Sequence, residues 1–172
     1  MSDHRDLSRL KQLFAASTLY DFDERVGLLF YAQPTRLGYD QTPRNCTAFA
    51  TTGGDGVHFG FLDFARNGEA SPIVMTVPMA DEPNRVVGRD MLHFLRLGTA
   101  AGFFVLEQLQ YDFDEAVAWL RQGRLRAEDP EAHTALAAIA DSMQAPSWGD
   151  HRAELQALHD DFAPMMDVAE DT

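Results

Sequence analysis

The sequence predicts an α+β fold in which an antiparallel meander of about four strands is packed by N-terminal and C-terminal helices. Three observations predict it. Apolar residues recur at helical spacing before residue 33 and again after Asp90. Between Thr47 and Gly88 the period shortens to that of strands. The apolar runs there are separated by turns too tight for a parallel crossover, so neighbouring strands should run antiparallel.

The elements follow in order. Leu7, Leu10, Leu13 and Phe14 place a helix over residues 6–16. A second helix is expected over 22–32, with Asp21 and Glu24 as a capping box and Val26, Leu29 and Phe30 as its buried stripe. Pro34, Gly38, Asp40 and Pro43 make 33–44 a loop. Residues 47–51 and 57–64 read as strands joined through Gly53-Gly54-Asp55-Gly56, a hairpin. Val57, Phe59 and Phe61 share one face of the second strand; His58, Gly60 and Leu62 share the other. Arg66-Asn67-Gly68 turns into a strand over 72–78, and 81–84 turns into a short strand over 85–88.

Asp90 caps a helix carrying Met91, Leu92, Phe94, Leu95 and Leu97, which Gly98 and Gly102 interrupt and 103–109 resumes. Asp112 and Glu115 form a capping box for a helix ending at Gly123. Asp129 and Pro130 start a helix running to about Met143. Asp150 caps a last one with Leu155, Leu158 and Phe162, which Pro164 stops. The chain is read as one domain over 1–172, with an α+β core over about 6–110 and a helical extension over about 112–166.

Composition narrows the function classes. Asp and Glu number 27 against 14 Lys and Arg, for a formal net charge of −13. Nucleic acid and anionic membrane surfaces attract Lys and Arg, and an excess of carboxylates repels them. A partner selected by charge is therefore a basic protein; the alternative is that the charge only maintains solubility. Cys46 is the single cysteine, so no intrachain disulfide forms. With no apolar run of spanning length and no signal-peptide core, a cytoplasmic location is expected.

Candidate chemistry is sparse. The glycines of 52–56 precede a strand, not a helix, so they fit a turn and not a phosphate cradle. Tyr20-Asp21-Phe22-Asp23-Glu24 recurs as Tyr111-Asp112-Phe113-Asp114-Glu115, and both copies fall at expected helix starts. Capping accounts for these carboxylates better than metal binding does. The six histidines show no metal-ligand spacing, and neither a metal nor a cofactor is expected. Cys46, His58 and Asp55 are close in sequence, but the hairpin register points His58 away from the Phe59 face and leaves Asp55 in the turn. His58 and Asp63 interrupt an aromatic strand. Either they are structural, or both stand on an open sheet face where a partner docks, with Asp55 beside them and Glu154, Asp160 and Asp161 framing the contact.

The stretch Thr42-Pro43, then Phe49-Ala50-Thr51-Thr52-Gly53-Gly54-Asp55-Gly56-Val57-His58-Phe59-Gly60-Phe61-Leu62, resembles the central hairpin of the SUKH superfamily. Val87-Gly88-Arg89-Asp90 leading into Met91-Leu92-His93-Phe94-Leu95 resembles the family's helix after the sheet. That superfamily groups bacterial immunity proteins against polymorphic toxins, many of them nucleases, with fungal cell-wall-assembly regulators. The resemblance implies a non-enzymatic α+β domain that binds a protein partner in a cleft or on a sheet face; the polar residues of the hairpin, Asp55, His58 and Asp63, are the candidate contacts. Two other readings stay open: a small-molecule site or small enzyme with its pocket between the sheet and the helices of 90–109, and a self-associating scaffold.

Overall fold

The computed structural model of the chain describes residues 2–63, 70–123 and 129–168, with side chains from residue 5. The expected turn at Arg66-Asn67-Gly68 and the strand end at Phe64 lie outside these residues. Helix α1 covers Ser2–Ala15 and α2 covers Phe22–Val26. Five strands follow: β1 Leu29–Thr35, β2 Cys46–Thr51, β3 His58–Leu62, β4 Ile73–Thr76 and β5 Asn84–Gly88. After the sheet come α3 Met91–Ala101, a 3-10 helix Phe104–Gln110, α4 Phe113–Gln122, α5 Pro130–Ser142, α6 His151–Phe162 and a 3-10 turn Ala163–Met165.

The α+β class is as expected, with one strand more than the sequence suggested. The sheet order is β1-β2-β3-β4-β5, and every neighbouring pair is antiparallel. The extra strand is β1, which takes residues expected to lengthen the second helix. That helix stops after five residues because Gly27 turns left-handed at φ 73 and closes it with bonds to Asp23 and Glu24 carbonyls. Side chains cannot easily follow that turn, and a Cβ on Gly27 would lie 2.6 Å from the Phe104 ring. The apolar run Leu29-Phe30-Tyr31 then enters the sheet, not a helical stripe. Asp21 does not cap α2 either: it sits at φ 48 and its carboxylate makes no capping bond.

The four other expected caps are made. Asp90, Asp112, Asp129 and Asp150 each accept a backbone N–H at the first turn of α3, α4, α5 and α6. Each such cap satisfies a donor that the helix itself leaves unpaired, worth about 1 kcal/mol.

Both faces of the sheet are covered. Phe59 and Phe61, with Phe49, Ile73, Met75 and Val87, pack into one large apolar cluster. A bulge between Ala48 and Ala50 allows both Phe49 and Ala50 to join it. That cluster includes Leu7 and Leu10 of α1, Phe94 and Leu95 of α3, Val117 and Leu120 of α4, and Leu136 of α5. Helices before and after the sheet therefore share one core. The opposite face carries Cys46, Leu62, Val74 and Val86, and α6 closes it with Leu158 and Phe162. Gly60 lies beneath this layer; a Cβ there would stand 2.4 Å from the Cys46 sulfur.

The sheet's outer edge at β1 is blunted. Pairing with β2 is irregular between Phe30 and Thr35, Pro34 lies in the strand, and Lys11 Nζ donates to the Tyr31 carbonyl at 2.6 Å. Pro, Lys and irregular pairing all discourage addition of a foreign strand. Among the described residues no helix is long and apolar enough to cross a membrane.

Candidate functional site

His58 occupies the face that the sequence assigns it, opposite Phe59, but that face is not open. The β1–β2 loop folds back over it. Thr42 Oγ1 lies 3.1 Å from Nε2, the Gly56 carbonyl lies 2.7 Å from Nδ1, and the Tyr39 ring stacks at 5.7 Å with a 19° tilt. A carbonyl only accepts, so Nδ1 carries the proton and donates to Gly56, and Nε2 accepts from the Thr42 hydroxyl. His58 is 0% exposed, and burial pushes its pKa down although the Gly56 bond opposes this. Next to it the Thr76 hydroxyl donates to Asn84 Oδ1, and Asn84 Nδ2 donates to the Gln41 carbonyl. The expectation of His58 on an exposed docking face is thus corrected: the chain's own loop satisfies and hides it.

Asp63 stands at the other end of β3, about 16 Å away at the rise of an extended strand. It is exposed, accepts the Thr47 hydroxyl at 2.9 Å and has Arg36 at 3.8 Å. Asp55 is exposed in the β2–β3 turn at φ 48. The three residues do not converge; Asp55 and Asp63 mark opposite ends of the hairpin. Nor does α6 frame them with Glu154. Its carboxylate is spent on His93 Nε2 at 3.2 Å and on the Gly149 N–H.

Cys46 is no nucleophile here. It is 1% exposed, and burial, with Asp63 adding, raises its thiol to about 12, far from the thiolate form. Among the described residues no three His, Cys, Asp or Glu side chains come together as metal ligands do.

A polar node absent from the sequence reading joins α3 to α6. The Trp148 indole stacks on His93 at 3.8 Å and lies nearly parallel to His151 at 5.9 Å. Its Nε1 donates to the His93 carbonyl at 2.8 Å. His93 is 2% exposed; burial first, then Arg89, lowers its pKa against the pull of Glu154 and Asp90. This node is structural: it fixes the linker that brings α6 onto the sheet.

Several exposed acidic groups gather at one end of the sheet. Thr51, His58, Thr76 and Asn84 align across that end through strand pairing. The β2–β3 turn presents Asp55 there, the β4–β5 turn presents Asp81 and Glu82, and the β1–β2 loop presents Asp40, all exposed. The 3-10 helix lies alongside. Its Gln110 bonds to Arg85 Nε at 2.5 Å and to the Glu82 carbonyl, and its Glu107 feels the charge of Asp55. Burial first, then that like charge, raises the Glu107 pKa against a bond from Gln108. Met79 is 77% and Tyr111 56% exposed in the same region. Single acidic residues are a weak sequence signal; only the fold places turns 52–57 and 77–83 side by side.

No protein-family model, no curated protein and no solved structure matches this chain.

Proposed function

We propose that this chain is a non-enzymatic binding protein for a basic protein, of the immunity type that neutralises a toxin, with a nuclease as the favoured target class. One observation carries the reading: the carboxylates at the sheet end outnumber the cations there, where Arg85 lies within electrostatic reach of Glu82 and the other carboxylates form no described ion pair. Among the described residues, Arg25, Arg36, Arg44, Arg96, Arg121 and Arg152 all pair with carboxylates elsewhere. None of the described ion pairs involves Asp40, Asp55, Asp81, Glu82 or Glu107.

A nuclease surrounds its active site with positive charge to hold phosphates. An acidic surface meeting it accelerates encounter and excludes the substrate. The resemblance to the SUKH superfamily over Thr42 to Leu97 supports the same reading, as does the order of helices, meander and helices. The groups that would suggest an enzyme, His58, His93 and Cys46, are buried in structural roles. A small-molecule site between the sheet and α3 has less support, since Phe59, Phe94 and Phe103 fill that space with ring centroids 4.9 Å apart along the chain of contacts.

The test is capture on the immobilised full chain, followed by expression of whatever is retained. A basic protein held in stoichiometric amount, toxic alone and harmless when co-expressed with this chain, establishes the function. Retention of nothing specific at low salt removes it.

A further inference from the structure

We infer that the sheet end bounded by the 52–57 turn, the 77–83 turn and the 3-10 helix is the docking surface for a lysine- and arginine-rich segment of a partner protein, with Met79 and Tyr111 as its apolar anchors. The inference rests on the proposed function and locates it.

Contiguity comes from contacts around the rim. Tyr39 lies against Gly56 in the β2–β3 turn. The next residue back, Asp55, is within electrostatic reach of Glu107 on the 3-10 helix. At the far end of that helix Gln110, the neighbour of Tyr111, is bonded to the Glu82 carbonyl. Met79 is three residues before Glu82 in the same turn, and Asn84 ties the turn back to Gln41 beside Asp40.

Two independent properties then coincide on this ring. First, its charges are predominantly negative: Asp40, Asp55, Asp81, Glu82 and Glu107 share the ring with one guanidinium, Arg85, which lies within electrostatic reach of Glu82, and Asp55 repels Glu107. Like charges held together destabilise the free protein, and a cationic segment relieves that cost on binding. Second, the surface holds large side chains that the fold does not need. Met79 at 77% exposure and Tyr111 at 56% make no contribution to either apolar cluster. Methionine, tyrosine and arginine are the residues enriched where proteins meet, and buried aromatic anchors within a polar rim carry most binding energy. An acidic surface kept only for solubility has no use for them. Beside Glu82, a cavity of about 560 Å³ between Asp40, Asp81 and His159 offers room for one partner side chain. Its carboxylates suit a guanidinium or ammonium group.

The test is a titration of the isotope-labelled full chain with a short synthetic peptide of alternating lysine, arginine and leucine, followed by amide chemical shifts. Shifts are expected at Asp55, Met79, Glu82, Glu107 and Tyr111. The charge reversal D55K/E82K/E107K is expected to weaken binding about tenfold or more, and M79S/Y111S to weaken it several-fold without any change of charge. The reversal D23K/E24K/E131K, equal in charge but placed on α2 and α5, is expected to cost less than about twofold at moderate salt, where distant charges are screened. Shifts centred elsewhere, equal losses in both reversals, an unaffected M79S/Y111S, or no binding at low salt would each overturn the inference. Neutralisation separates the two levels. A captured toxin still neutralised by both rim variants leaves the function standing and removes the surface; a wild-type chain that retains no toxin removes the function whatever the peptide does.

Discussion

Mild acid should destabilise this protein well above the range in which carboxylates titrate. The perturbation is a shift from about pH 7.5 to about pH 5.5, spanning the ordinary histidine pKa of about 6.5. His58 and His93 are 0% and 2% exposed, and burial lowers both. A base with a lowered folded pKa binds its proton more readily when unfolded. Its contribution to stability is complete above the unfolded pKa and is lost as pH falls towards the folded one. Each such group contributes up to about 1.4 kcal/mol over this interval, so the pair costs up to about 3 kcal/mol of the roughly 5–15 kcal/mol that stabilises a domain. His151 and His159 are lowered in the same direction by burial and add to the loss. Asp129 and Asp150 are lowered carboxylates, so their stabilisation disappears only below the window. Glu107, raised chiefly by burial, takes up a proton earlier in the folded state and opposes the trend slightly at its acid end. The assay is urea unfolding at the two pH values, on the wild type and on H93Q. Glutamine retains a donor for Glu154 but does not titrate, so H93Q should lose close to half of the two-histidine effect. Stability that is flat or rising on acidification, or a full slope retained by H93Q, would refute the reasoning.

Other consequences follow from packing. Gly60→Ala should destabilise by about 1–3 kcal/mol, because its methyl group meets the Cys46 sulfur; thermal unfolding reads this, and adding Cys46→Ala should recover part of the loss. Cys46 should resist thiol reagents in the native protein and react only on unfolding, since its thiol is buried and raised to about 12. Trp148→Ala should cost about 2 kcal/mol or more and should speed amide exchange in α6 more than in α3, because the indole joins the His93 carbonyl and ring to the α6 linker.

The legible parts of the fold were those set by local chemistry. The Gly-Gly-Asp-Gly turn, the alternation through Val57, Phe59 and Phe61, and the caps at Asp90, Asp112, Asp129 and Asp150 each depend on residues a few positions apart. Strand β1 was missed because Val26, Leu29 and Phe30 suit a helix equally well, and the stop at Gly27 is enforced by Phe104, distant in sequence. The repeated Tyr-Asp-Phe-Asp-Glu makes the same point. Asp112 caps a helix of 10 residues, whereas Asp21, in the identical pentapeptide, precedes one of 5 and makes no cap. At the candidate site, the exposed turn position of Asp55 could be read from the glycines around it. The burial of His58 could not, since Tyr39 and Thr42 reach it through a loop that periodicity does not describe. The His93–Glu154 contact spans 61 residues and leaves no local pattern.

The layer formed by α6 has a bearing on synthesis. This helix follows every strand in chain order, yet it brings Leu158 and Phe162, with Trp148, Met165 and Met166 flanking it, over Leu62, Val74 and Val86. A chain growing from its N-terminus completes the sheet and most of the larger core, to which α6 later adds Leu155, while that second face is still bare. During the interval before α6 leaves the ribosome, the nascent protein displays an apolar strip suited to chaperones or to a neighbouring nascent chain. Products cut short before His151 should carry that strip permanently and be prone to aggregate.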